Sequence, residues 1–482
     1  MKQHISRFMT AVLLIGLILV SCGEGEPVET DAVVSQSETT TEPTVEDMLA
    51  SLPDEDFGEY EFTFLTISSG INSTTRFTDE IFVEEEDGDI INDSVYQRNQ
   101  LVNEKYNVTI TAMPEELPSD VARAAILAGD NIFDVMNLYK SESIVLLPDG
   151  LLADWNDLPY CDYTAPWWNR HCEEKLTIGD MLPFMSGSIL ISEIDDTLAM
   201  VYNKALADEY NISGLYDVVR DGKWTIDYMT SLIKQISRDL NGDSQYVVGD
   251  DLFGYVQDPA SMTTNWSFAC DLMTGYIDSD GKWQPNVDVE RAQNLCDKMA
   301  AIFAGGTFAY TGTDLYDGLN YFEENKIFLY AIILRNVELL REMDVDFGIL
   351  PYPKLDENQS EYSTHIGNSS PILTLPITNN DFERTSLILE AMAITSYNIV
   401  RPAYYDVALK VKMSRDEDSA DMLDIILDSS TYDLSYFTFN AISSILNPLI
   451  SVGNTNFSSA YASQSNTINQ NMQNFIDSVL ES

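Results

Sequence analysis

Histidine is almost missing from this chain: His4, His171 and His365 are the three in 482 residues. No His-Glu-x-x-His pair exists, and little is left for a Ser-His-Asp arrangement. Basic residues are scarce as well. Lys and Arg number 26 against 78 Asp and Glu, a formal charge of −52. A surface of that sign repels nucleic acid and anionic lipid, which excludes a nucleic-acid partner. The chain has no Gly-x-Ser-x-Gly elbow, no Walker loop and no Gly-x-Gly-x-x-Gly turn. Long apolar runs are missing apart from residues 8–20, and those 13 residues are too few for a permanent membrane helix. Cysteine is limited to five, Cys22, Cys161, Cys172, Cys270 and Cys296.

What is present begins at the N-terminus. Lys2 and Arg7 precede the apolar run, and Leu19-Val20-Ser21-Cys22 closes it. A basic start, a short apolar segment and a small residue at the break make a secretory signal over residues 1–21. The cysteine placed directly after Ser21 resembles the bacterial lipobox. That resemblance implies lipidation of Cys22 and a mature protein held on the extracellular face of the bacterial membrane. A plain signal peptide with a chance cysteine is the alternative. Residues 23–56 contain no Lys or Arg and are rich in Glu, Asp, Thr, Ser and Pro. Such a composition cannot bury enough apolar surface to fold, so residues 22–56 read as an acidic disordered tether spanning roughly 30–40 Å. The folded body is expected to start near Phe57.

Past the tether, strand and helix patterns alternate, as in βαβ units with a mainly parallel sheet. Strands are expected at 60–67, 108–111, 133–138, 198–202, 327–333 and 347–350. Asn92 or Asp93 can cap a helix to Tyr106, and Ser119 one that Gly129 ends. Thr225 reads as an N-cap, with Trp224 and Met229 as a staple across it. Helices are expected at 226–237, 289–303 and 315–323, and at 384–397, 419–428, 438–446 and 467–480 near the end. At 45% hydrophobic, the chain can fill two cores. Cys161 and Cys172 bracket Pro166-Trp167-Trp168-Asn169 and can staple it; free buried thiols are the equal alternative.

Six segments in order resemble the family 1 extracellular solute-binding lipoproteins of bacterial ABC importers. They are Ala125-Ile-Leu-Ala-Gly-Asp130 with Phe133-Asp-Val135, Asp149-Gly-Leu-Leu-Ala-Asp154, Pro166-Trp-Trp-Asn169, Val201-Tyr-Asn-Lys204, Asp221-Gly-Lys-Trp-Thr225 and Phe347-Gly-Ile-Leu-Pro-Tyr-Pro-Lys354. The resemblance implies an α/β, two-lobed periplasmic-binding-protein-like fold of type II, hinged, with discontinuous lobes. One lobe takes 57–193 and 366–398, the other 196–365 and 399–482. It further implies a monomer that holds a small solute, an oligosaccharide above all, in the interlobe cleft and delivers it to ABC transporter permease subunits. No cofactor is required and no catalysis is expected.

In open α/β sheets, ligands lie beyond the carboxyl ends of strands. That rule selects Ser69, Asn72, Tyr139, Asp195, Asp196, Tyr330, Arg335 and Asn336, each of which can equally be ordinary loop solvation. Aromatic faces stack on sugar rings while carboxylates and guanidinium groups meet hydroxyls. By the resemblance, Trp167 and Trp168 match an aromatic position that contacts sugar in maltodextrin-binding relatives. Asp196, six residues before Tyr202, falls where those relatives carry an acidic sugar contact. Trp266 falls in an aromatic segment facing the cleft, and Tyr436 is a further candidate. Core packing is the competing explanation for each large ring.

Asp239, Asn241, Asp243, Gln245 and Asp250 sit at positions 1, 3, 5, 7 and 12 of a loop that resembles a structural calcium site. A polar Asn-Gly turn without metal is the alternative. Adjacent Asp195 and Asp196, read as extended chain, would point to opposite faces and make a poor acid–base pair. A surface-anchored glycosidase and an adhesin are the rival functions.

Overall fold

The computed structural model describes residues 43–68, 78–257, 264–303, 306–312, 315–342, 346–367, 370–410, 417–439 and 441–482. In chain order the strands are β1 (Tyr60–Ile67), β2 (Val108–Glu115), β3 (Val135–Tyr139), β4 (Leu198–Asn203), β5 (Phe253–Gln257), β6 (Gly275–Ile277), β7 (Trp283–Pro285), β8 (Ala309–Thr311), β9 (Ile327–Ile333), β10 (Phe347–Leu350), β11 (Thr364–His365), β12 (Pro371–Thr374) and β13 (Ser430–Thr431).

Two sheets organise the fold. The first has the order β12-β3-β1-β2 and the second β10-β4-β9-β5-β8. Within the first, β2 and β3 run parallel to β1, while β12 is antiparallel to β3. Within the second, β5 is parallel to β8 and β9, while β4 is antiparallel to β9 and β10. The expected parallel sheets are therefore present. The strands entering from a crossover, β4 and β12, run against them because the chain arrives at the carboxyl ends of its new neighbours. β9 reads Ile-Phe-Leu-Tyr-Ala-Ile-Ile and is buried over its first six residues, as a central strand covered on both faces requires.

Local chemistry sets the helix boundaries. Thr225 caps Ile226–Ile236, its Oγ accepting the Tyr228 N–H at 3.3 Å, with Trp224 and Met229 both fully buried beside it. The helix Ile90–Tyr106 starts earlier than expected, because Asp89 accepts the Ile91 and Asn92 N–H groups. Asp93 is turned back onto the N–H groups of Asp87 and Gly88. The next helix, Pro118–Ala128, begins with proline instead of a Ser119 cap; proline's fixed φ and missing N–H suit a first turn. Near the end, the helix Phe382–Thr395 passes through a π turn at Ser396–Val400, where the Arg401 N–H reaches five residues back to Ser396. Pro402 has no N–H to continue the regular ladder.

The ordered fold also starts before Phe57. Thr44 and Asp47 form a reciprocal capping box at the head of the helix Val45–Ser51, whose Leu49 is buried in the first core. Residues 44–51, expected in the tether, are thus ordered, while Cys22, the signal and the rest of the expected tether up to residue 42 lie outside the described residues. Cys161, Cys172, Cys270 and Cys296 are free thiols, so no staple closes around the Trp pair. Helix Phe457–Leu480 gives Phe457 and Ile468 to the second core but Met472, Ile476 and Val479 to the first. Tyr404 of Arg401–Lys410 packs with Ile91 and Val95. These segments thus touch the first lobe, whereas the sequence places all of 399–482 on the second. Among the described residues no helix is long and apolar enough to cross a membrane.

The crossovers are bound side by side. Thr197 bridges Ile366, the Gly367 N–H donates to the Asp196 carbonyl at 2.8 Å, and β11 pairs with β13. Lys140, immediately after β3, is buried and donates from Nζ to the carbonyl of Gly367 at 2.8 Å. Desolvation pulls its ammonium down to about 7. Glu80 holds the first crossover: its carboxylate accepts from the N–H and hydroxyl of Ser192 at 2.7 and 3.0 Å and from Asn137 at 3.0 Å. Complete burial pushes the Glu80 carboxyl up to about 8 despite those bonds.

Leu49→Ala is expected to cost about 2 kcal/mol in urea unfolding, and an unchanged midpoint would show that the first helix adds nothing. A carboxyl whose pKa is higher folded than unfolded binds more protons in the fold, so stability falls as pH rises from 4.5 toward 8. Glu80→Gln should flatten that slope across the same window. A slope identical to the wild type would mean that Glu80 is ionised in the fold.

Candidate functional site

β3 of the first sheet and β9 of the second end beside the crossovers. Tyr139 closes β3, and Arg335 follows β9 by two residues. The crossover between the sheets makes a single helical turn, Ile191–Asp195, before β4. Asp195 and Asp196 therefore leave the end of a helical turn; they are not extended neighbours pointing to opposite faces. The Asp196 N–H is tied back to the Ser192 carbonyl at 3.0 Å, and the Leu334 N–H reaches the Thr197 carbonyl at 3.0 Å. These bonds set the end of β9 against the crossover.

Arg335 pairs with the Asp196 carboxylate through Nη1 and Oδ1. The pair is sheltered, with side-chain exposures of 20% for Arg335 and 2% for Asp196. Burial lowers the Arg335 pKa, while Asp195, Tyr404 and Tyr139 act to raise it. Among the described residues, Oδ2 of Asp196 is buried without a hydrogen-bond partner. Tyr139 is half-buried. The group therefore offers a fork of donors, carboxylate acceptors and phenol rings within one sheltered region, the inventory that binds hydroxyl-rich solutes.

The structure thus brings Asp196 and Arg335 into contact, with Asp195 next along the chain and Tyr139 near enough to act on Arg335 electrostatically. Ser69 and Asn72 lie outside the described residues. Trp266 is fully buried, its indole N–H donating to Gln257 at 3.0 Å and its ring between Tyr255 and Tyr352. Tyr330 is also fully buried, packed so closely on Gly318 that a Cβ there would lie 2.4 Å from the phenol oxygen. Neither ring faces an open surface, which corrects the expectation of cleft contacts: alternation along β9 turns Tyr330 into the helix layer, and Trp266 closes the core. Tyr436 is half-buried, edge-on to His365 at 4.8 Å and Phe268 at 5.4 Å.

Trp167 and Trp168 belong to a different place. They line a groove of about 570 Å³ together with Tyr397, Arg401, Asp424 and Asp428. Glu193 and Ile194 of the first crossover also line it, so the groove adjoins the segment that carries Asp195 and Asp196. Trp168 is 4% exposed, with Trp155 and Tyr163 edge-on at 6.0 Å each. Trp167 is half-buried, 6.4 Å from the Tyr397 ring. Arg401 lies over the rings of Tyr397 and Tyr405 at 5.3 Å each, with Asp424 at 4.0 Å.

Sequence reasoning passed over Lys140, Glu80, Tyr404, Arg401 and Glu390. For Glu390 a signal existed, since it is the one carboxylate in the apolar helical stretch Leu387-Ile-Leu-Glu-Ala-Met-Ala-Ile394. For the others, only the tertiary fold makes the connection.

The calcium-like loop uses its oxygens locally. Asp239 accepts the N–H groups of Gly242 and Ser244, Asn241 that of Asp243, and Asp243 that of Gln245. Asp251, one residue beyond Asp250, is the carboxylate that folds back, onto the Leu240 and Val247 N–H groups. Among the described residues no group of three or more His, Cys, Asp or Glu is placed to hold a metal ion. Of the set Asp239, Asn241, Asp243, Gln245 and Asp250, the first three meet backbone donors within the turn.

No protein-family model and no curated protein sequence matches the chain. Solved structures do. A family 1 extracellular solute-binding protein from Bifidobacterium longum subsp. infantis superposes with a TM-score of 0.55 at 11% identity, over 85% of this chain and 100% of that one. The GacH receptor of Streptomyces glaucescens, solved unliganded and with acarbose, gives 0.50 at 12% identity, over 87% and 99%. An ABC substrate-binding protein from Listeria monocytogenes in complex with cycloalternan gives 0.50 at 12% identity, over 86% and 99%. This chain has the two-lobed α/β fold of periplasmic-type solute-binding proteins.

Proposed function

We propose that the chain is a substrate-binding lipoprotein of a bacterial ABC importer, which captures an oligosaccharide between its lobes and passes it on unchanged. The observation that carries this reading is the meeting of Tyr139, Asp195, Asp196 and Arg335 at strand ends from both sheets, beside the crossovers. A ligand there touches both lobes at once. Its binding favours whichever lobe arrangement gives it more contacts, which is how a hinged receptor is driven shut. The site needs no cofactor in this reading. Lipid on Cys22 would keep the receptor at the extracellular face of the membrane, near the permease subunits, and the receptor would act as a monomer.

Carbohydrate is favoured on chemical grounds. Paired carboxylates and a guanidinium offer acceptors and donors together, as adjacent hydroxyls require, and the phenols supply apolar faces. The neighbours solved with acarbose and cycloalternan suggest where a ligand panel should start.

A thermal-shift and calorimetric screen of oligosaccharides tests this, with the saccharide recovered and weighed by mass spectrometry. A saturable complex with intact ligand is expected. Arg335→Ala should weaken it by roughly tenfold or more. Shortened products would move the protein to the glycosidases, and a panel without any binding would overturn the carbohydrate reading.

A further inference from the structure

Glu390 sits in an otherwise apolar helical stretch, with Leu387, Ile388, Leu389, Ala391 and Met392 all buried around it. It is itself only 2% exposed, yet both of its oxygens are occupied. Oε1 accepts the indole N–H of Trp167 at 2.8 Å. Oε2 accepts the indole N–H of Trp168 at 2.8 Å and the backbone N–H of Asp162 at 3.3 Å. One carboxylate thus grips two consecutive tryptophans that lie more than two hundred residues away in sequence.

The two rings respond differently to that grip. Trp168 is wedged between Trp155 and Tyr163, and its backbone bridges Gly187, so the core would hold it anyway. Trp167 is half-buried and faces the groove with one aromatic neighbour, Tyr397. Its N–H is consumed by Glu390, which leaves the ring face as what it offers. The same groove is lined by Arg401, Asp424 and Asp428, which add donors and acceptors to an apolar ring.

We propose that Glu390 is a positioning residue that fixes the plane of Trp167 as a ready stacking face for a saccharide ring in this groove. The proposal rests on the carbohydrate reading above and adds a second contact surface to it. A carboxylate suits the role where an amide does not. An indole N–H can only donate, and a carboxylate presents an acceptor to each of two indoles. Glutamine has one acceptor oxygen and one NH₂, so Glu390→Gln would set a donor against a donor at one indole. The half-buried Trp167 can turn to water and is the one released.

The test is a double-mutant cycle on saccharide affinity with Glu390→Gln, Trp167→Ala and the combination. Each single change is expected to weaken binding roughly tenfold; the double variant should be no weaker than Trp167→Ala alone. In ligand-free protein, Glu390→Gln should raise iodide quenching of tryptophan emission, and Trp167→Phe should abolish that rise. If the singles add, if Trp167→Ala leaves affinity unchanged, or if quenching does not move, the positioning role is overturned while the carbohydrate reading stands. If the wild type binds no saccharide, both fall together. Should Glu390→Gln fail to fold, Glu390→Asp replaces it in the cycle, since it keeps both oxygens but draws them back from the indoles.

Discussion

The chain has to cross between its two sheets more than once, and the crossings must lie against one another. Everything else in the structure follows from how that is done. A crossing strand carries backbone groups that need partners, and in the interior these come from the neighbouring crossing. Thr197 bridges Ile366, Asp196 receives the Gly367 N–H, and β11 pairs with β13. Two buried ionisable groups brace the same region from the first lobe. Lys140 donates to the second crossing, and Glu80 holds the head of the first. Side chains of this kind are expensive to bury and become tolerable only when fully bonded.

Strands that end at the crossings deliver Tyr139 and Arg335 to the place where Asp195 and Asp196 leave the first crossover. In the proposed function, a solute bound there would alter contacts on both sides of the hinge, so that modest differences in affinity become a change in lobe arrangement. The large negative charge of the chain is mainly a solvated surface, whereas the Arg335–Asp196 pair is sheltered from solvent. Adjoining the same crossover segment, the Trp167 groove carries an aromatic ring held by a carboxylate from a distant helix.

Elements with a strong period were legible from sequence. β9, the helix Val289–Phe303 and the helix Leu315–Glu323 lie where apolar spacing puts them, because burial alone sets their faces. Choices between equal local signals were not legible. Asp89 and Asp93 can both cap a helix, and the turn at 87–88 decides between them. Thr44 and Asp47 sit in a stretch whose composition says disorder, yet a capping box and one buried leucine order it. The rule of strand ends selects Tyr139, Arg335 and the fully buried Tyr330 alike, because it cannot see which way a side chain points on a strand buried on both faces. Trp266 was misread since an aromatic in a polar segment looks the same whether it faces a cleft or closes a core. Glu390 stands out as the one carboxylate in the apolar stretch 387–394, but its partners Trp167 and Trp168 are too remote in sequence to be read from that signal.

The central claim is that a saccharide bridges both lobes and draws them together. Small-angle X-ray scattering of the purified protein, with and without a saturating saccharide, tests it most directly. The account predicts a smaller radius of gyration in the complex, and the same saccharide should produce no contraction once Arg335 is replaced by alanine. A tightly bound saccharide that leaves the wild-type scattering profile unchanged would contradict it.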